Sequence, residues 1–160
     1  MDIATQERPE TLTIEKILEQ AHDRARRQGA SYAGALLPTE AWQLVQRHPK
    51  ARLVDVRTRE EWHLVGTAPS SLLIEWRTYP DMERNPRFLD ELKSRVAPDE
   101  LVLLLCRSAV RSHEAAEFLT KRGYQHAFNV LEGFEGDLDE NFHRGTLGGW
   151  RFRGLPWQQS

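Results

Sequence analysis

Cys106 is the only cysteine of the chain, and it follows five consecutive apolar residues, Leu101 to Leu105. Arg107 is its neighbour and Arg111 lies five positions on. An apolar run of this length predicts a strand buried on both faces. Helical spacing resumes at Ser112 through Ala115, Ala116, Phe118 and Leu119 and closes at Gly123, so the connection is strand, loop, helix. Such a loop, at the carboxyl end of a parallel strand, is where α/β proteins place their reacting groups. Its amides can turn toward one point, and the helix behind it adds its positive N-terminal end. Two arginines close by favour a thiolate, the nucleophilic form of cysteine. The same field suits a bound oxyanion or a persulfide. A lone cysteine often only fills space at a strand end, but that role needs neither the arginines nor the helix end.

The rest of the chain supplies elements able to hold such a loop. Leu12 to Gln28 has Leu12, Ile14, Ile17, Leu18, Ala21 and Ala25 at helical spacing, with Gly29 as its stop. Gly29 to Leu37 reads as a linker. A second helix is expected behind Pro38, capped by Thr39 and ending near His48. Arg52 to Val56 predicts a strand, Arg59 to Leu64 a short helix, Leu72 to Ile74 a strand, and Arg77 to Arg87 a loop. Phe88 to Val96 suggests a helix, and Ala127 to Leu131 a last strand. Strands alternating with helices predict an α/β fold: a mostly parallel sheet flanked by helices on both faces, with an extra N-terminal helix. Residues 1–35 are expected to form that helical extension and 36–160 the domain itself.

Composition narrows the partners. The 160 residues are 39% hydrophobic, and 22 basic against 24 acidic side chains leave a formal charge of −2. That balance gives no general attraction to nucleic acid. No apolar run approaches the roughly 18–20 residues of a membrane span, and no secretory signal opens the chain, so a cytoplasmic protein is expected. One cysteine excludes an internal disulfide and a multi-thiolate zinc site.

The segment CRSAVRS after an apolar strand resembles the active-site loop of the rhodanese sulfurtransferases, with Ala109 where that family usually has glycine. LVDVRTREEW, NVLEGF and GGWRFRGLPW are similar to three further motifs of the family, in the same order, so the likeness runs from about Leu36 to Trp157. Two departures stand out. GTAPSS puts Thr67 in place of a common histidine and Ser70 in place of a common glycine, and Asp137 to Leu147 is a longer connection than usual. The resemblance implies sulfur transfer through a Cys106 persulfide, from a small anionic donor such as thiosulfate or polysulfide to a thiol or cyanide-like acceptor. It implies that Arg107, Ser108, Ala109, Val110, Arg111 and Ser112 form the substrate cradle and that neither metal nor organic cofactor is needed. Within it, Arg107 would draw in the donor, Arg111 would hold the loop's shape and Ser112 would add its hydroxyl.

Two other functions compete. Cysteine phosphatases use a similar cradle but space Cys and Arg by five residues, whereas four separate Cys106 from Arg111. A binding module of the same fold would need no turnover, and such modules commonly lose the cysteine. Asp55 and Arg57 are expected to pair beside the loop in a supporting role. Of His63, His113, His126 and His143, which lack metal-ligand spacing, only His113 sits directly behind the loop. Trp62, Trp76, Trp150 and Trp157 are expected to build the core and the pocket rim, and Arg24, Arg26 and Arg27 a solvated helix face.

Overall fold

The computed structural model describes residues 12–160. The elements in order are α1 (Ile14–Arg27), β1 (Gly34–Leu36), α2 (Pro38–Arg47), β2 (Ala51–Asp55), α3 (Arg59–Val65) and β3 (Leu72–Leu73). They continue as β4 (Arg77–Thr78), β5 (Glu83–Arg84), α4 (Phe88–Lys93), β6 (Leu101–Leu105), α5 (Val110–Thr120) and β7 (Ala127–Val130). Five strands form one parallel sheet in the order β1-β7-β6-β2-β3. Among the described residues, no helix is long and apolar enough to cross a membrane.

Strand β6 lies at the centre of the sheet, and its pleat divides the core. Val102, Leu104 and Cys106 face the cluster built with Phe88 and Leu92 of α4 and Ala115, Ala116 and Leu119 of α5. Leu101, Leu103 and Leu105 face the opposite cluster, with Ala41 and Leu44 of α2, Phe134 and Trp150. Alternate residues of a strand point to opposite faces, so a run apolar throughout is what a sheet covered on both sides requires. The helix α1 packs into this second cluster through Ile17 and Ala21, while its last turn brings Ala25 to the first.

Several local expectations are corrected. The supposed linker Gly29 to Leu37 contains β1, a three-residue edge strand on β7. Its Gly34 is required by close approach, since a Cβ there would lie 2.7 Å from the Phe128 ring. Helix α2 begins at Pro38 with Leu37 as its cap, not Thr39, and the Glu40 carboxylate accepts the Leu37 amide at 2.8 Å. The stretch Arg77 to Arg87 carries the hairpin β4–β5. Helix α5 starts at Val110, two residues before Ser112. Arg24 is not on a solvated face: it donates to the Ala35 carbonyl and grips the buried Glu40 carboxylate at 2.9 and 3.2 Å, joining α1 to α2.

Candidate active site

The loop between β6 and α5 wraps around the sulfur of Cys106, which is 1% exposed. The amides of Ala109 and Ser112 donate to Sγ at 3.2 and 3.3 Å, and the Ser112 hydroxyl lies 3.2 Å from it. The amides of Arg107, Ser108, Val110 and Arg111 make no hydrogen bond among the described residues, which leaves donors for a second atom beyond Sγ. The chain makes this turn by placing Ala109 in the left-handed region, at φ 81°. That conformation costs a residue with a Cβ about 1–2 kcal/mol. Ser70, the other residue standing where the resembling family has glycine, is left-handed as well, at φ 63°.

Two supports hold the loop. On one side Arg111 meets Glu61 of α3 through two hydrogen bonds, 2.6 and 2.9 Å. Glu61 also accepts the Thr58 amide at 3.1 Å, closing a reciprocal cap on α3. Burial pushes the Glu61 carboxyl up, but the hydrogen bonds and charge of Arg111, the Thr58 amide and Arg57 outweigh it and bring it down to about 2. Burial likewise works against the charge on Arg111, while Glu61, Cys106 and Asp55 raise it above the usual guanidinium range. On the other side the segment after β7 grips the backbone: Phe134 donates to the Cys106 carbonyl at 2.7 Å, and Glu135 and Gly136 to the Arg107 carbonyl at 3.0 and 3.2 Å. Gly133, at φ 70°, passes so close that a Cβ would meet the Arg107 carbonyl at 2.4 Å.

Asp55 and Arg57 are both fully buried, and they pair at 2.7 Å. Arg57 also donates to the Gly66 carbonyl at 2.7 Å, and its guanidinium stacks 4.2 Å above the Phe134 ring. The pair thus ties the end of β2 to the end of α3 and to the residue that backs Cys106. Arg107 is exposed. It lines a cleft of about 600 Å³ together with Arg111, residues of α3, and the β4–β5 turn. Of the four tryptophans expected to build the core and the pocket rim, Trp76 and Trp150 are core, while none of the four lines this cleft.

Besides Glu61, three contributors escaped the sequence reading: Asn129, Tyr32 and Arg144. Asn129 is buried on β7, where its Oδ1 accepts the Ser112 hydroxyl at 2.5 Å and its Nδ2 donates to the Ala109 carbonyl at 3.2 Å. Nδ2 also reaches the Tyr32 hydroxyl at 3.5 Å, and that hydroxyl bonds His113 at 2.7 Å. His113 therefore stands two side chains away from the sulfur's own partners. The signal for Asn129 was a lone amide in an apolar strand. The insertion supplies the third contributor, Arg144, which lines the cleft and donates to the Gly136 carbonyl at 2.8 Å.

The chain matches the family model described as Rhodanese-like domain over residues 37–140. A crystal structure of Rv0390 from M. tuberculosis is 45% identical, with a TM-score of 0.75 over 81% of this chain and 100% of that one. An uncharacterized protein of Rickettsia rickettsii is 36% identical over 75% of this chain and 93% of its own length. The thiosulfate sulfurtransferase GlpE of Actinobacillus pleuropneumoniae is 29% identical over 74% of this chain and 87% of its own. With the motifs, the parallel sheet and the loop at the end of its central strand in agreement, the chain belongs to the rhodanese-like family.

Proposed function

We propose that the protein is a sulfurtransferase in which Cys106 carries the sulfur. The observation that supports this best is the cradle itself, in which two amides and a hydroxyl bond Sγ while four further loop amides nearby have no partner among the described residues. The Cys106 thiolate attacks the outer sulfur of a thiosulfate- or polysulfide-type donor. A bond forms between Sγ and that sulfur, the donor's S–S bond breaks, and its electron pair leaves with sulfite or the shortened polysulfide. The terminal persulfide sulfur takes the loop amides as hydrogen-bond partners. Attack by an acceptor thiolate or cyanide on that sulfur returns Cys106 as thiolate, so the kinetics are ping-pong.

In this reading Arg107, exposed at the cleft, attracts the donor, while Arg111, Asp55 and Arg57 hold the loop. Residues 36–160 carry the chemistry and the preceding helix supports it. A lone thiol suits a reducing, cytoplasmic setting. The test is intact-mass spectrometry after incubation with thiosulfate. A gain of about 32 Da, one sulfur, removed by cyanide, is expected in the wild type and not in Cys106→Ser. A wild-type protein that gains no mass with either thiosulfate or polysulfide refutes the proposal.

A further inference from the structure

The cleft beside the loop is much larger than an inorganic donor requires. Its volume, about 600 Å³, lies in the range of sites that take small organic molecules, about 300–1,000 Å³. Leu64, Pro80 and Met82 give it apolar walls. Three charged groups in its lining have unused bonding capacity. Among the described residues Arg107 makes no side-chain hydrogen bond or ion pair, and Arg144 donates only to a backbone carbonyl. Glu60 lines the cleft as well, and among the described residues its carboxylate makes no hydrogen bond or ion pair, with Oε1 buried. A buried carboxylate oxygen without a donor is costly and calls for one from a ligand. Two guanidinium groups without a carboxylate call for an anion. The third arginine of the lining, Arg111, is committed to Glu61.

We propose that this cleft is the acceptor site and that it selects a thiol of amino-acid type, whose carboxylate is read by Arg144 with Arg107 and whose ammonium is read by Glu60. The proposal rests on the sulfur-transfer reading of Cys106 and names the acceptor class for it. The acceptor thiolate attacks the outer sulfur of the Cys106 persulfide. A new S–S bond forms, the bond to Sγ breaks with its electrons staying on Cys106 as thiolate, and the acceptor leaves as a persulfide anion that keeps the negative charge of the outer sulfur.

The test loads the full chain with sulfur from thiosulfate and measures its discharge by cysteine, 3-mercaptopropionate, cysteamine and 2-mercaptoethanol, each rate expressed relative to cyanide in the same protein. Arg144→Gln is expected to slow cysteine and 3-mercaptopropionate about tenfold, as loss of a charge-assisted hydrogen bond predicts, and to spare cysteamine and 2-mercaptoethanol. Arg144→Lys is expected to recover part of the loss. Glu60→Gln is expected to slow cysteine and cysteamine by a similar factor and to spare the other two. Equal loss across all four thiols, or no loss, overturns the proposal. Failure of the wild type to gain sulfur at the loading step refutes the sulfur-transfer reading and the acceptor assignment with it.

Discussion

Glu61 reaches from the first turn of α3 to Arg111 at the start of α5, and the two side chains meet in a two-pronged pair at 2.6 and 2.9 Å. One carboxylate thereby caps its own helix and fixes the arginine that closes the sulfur's loop. Glu61→Gln keeps an acceptor for the Thr58 amide and removes the charge. Loss of a charge-assisted bidentate pair predicts destabilisation of about 1.5–3 kcal/mol and a fall in sulfur-transfer turnover as the loop loosens. The pH dependence has a definite sign. A carboxyl lowered from 4.5 to about 2 on folding contributes stability that is complete above about 4.5 and is lost as the pH falls toward 2. Denaturant titrations at pH 6 and pH 2.5 should therefore show a large stability gap between wild type and variant at the first and a much smaller one at the second. An equal gap at both would disprove the assignment.

Ala109 holds a left-handed backbone, φ 81°, at the point where the loop turns its amide onto the sulfur. Glycine adopts that conformation without the Cβ penalty, although it also raises the entropy of the unfolded chain. Ala109→Gly should stabilise the protein by a net of about 0.5–1 kcal/mol, equivalent to a rise in Tm of roughly 2–4 °C for 1 kcal/mol in a chain of this size. Sulfur loading should be retained. A lower Tm would mean that the Ala109 methyl makes contacts worth more than the strain.

The contrast between Cys106 and Asn129 explains how much could be read in advance. The central strand, the loop and its nucleophile are contiguous, so apolar run, thiol, arginine and helix all show in one window of the chain. The parallel sheet follows from the same periodicities. Strand β1 escaped because three residues, one of them glycine, are too few to show a period, and it exists through pairing with β7. Arg24 was misread because its partner Glu40 is sixteen residues away on another helix. Asn129, Glu61 and Arg144 reach the site from β7, α3 and the insertion. Only the fold brings them there.

Asn129 bonds both the Ser112 hydroxyl and the Ala109 carbonyl. Truncation by Asn129→Ala leaves the Ser112 hydroxyl with the Cys106 sulfur alone and the Ala109 carbonyl with the His113 amide alone, so each lost bond costs about 0.5–1.5 kcal/mol. Asn129→Asp keeps an acceptor for Ser112, loses the donor to Ala109, and places a second negative charge behind the thiolate. Both variants should melt earlier, and the aspartate should show the greater loss of sulfur-transfer turnover relative to its loss of stability. Equal activity in the two variants at matched folded fraction would show that Asn129 serves packing alone.

Loop length separates sulfur transfer from phosphoryl chemistry. Four residues lie between Cys106 and Arg111, and the resulting turn is tight enough for the Ala109 and Ser112 amides to reach Sγ itself. A phosphoryl group needs its donors farther out, around three equatorial oxygens. Inserting one glycine between Ala109 and Val110 restores a five-residue spacing and moves Ser112 away from the sulfur. Removal of one preorganised donor of this kind costs about 10²–10³ in turnover. Thiosulfate-to-cyanide turnover should fall by a factor of that order, and arsenate should bind more tightly to the insertion variant than to wild type. Both proteins are to be assayed side by side for sulfur transfer and for aryl phosphate hydrolysis. Wild type should transfer sulfur and leave the phosphate ester almost untouched. Brisk phosphate hydrolysis by the unmodified chain, with no sulfur loading, would mean that a four-residue loop accommodates a phosphoryl group after all and that the cradle serves a phosphatase.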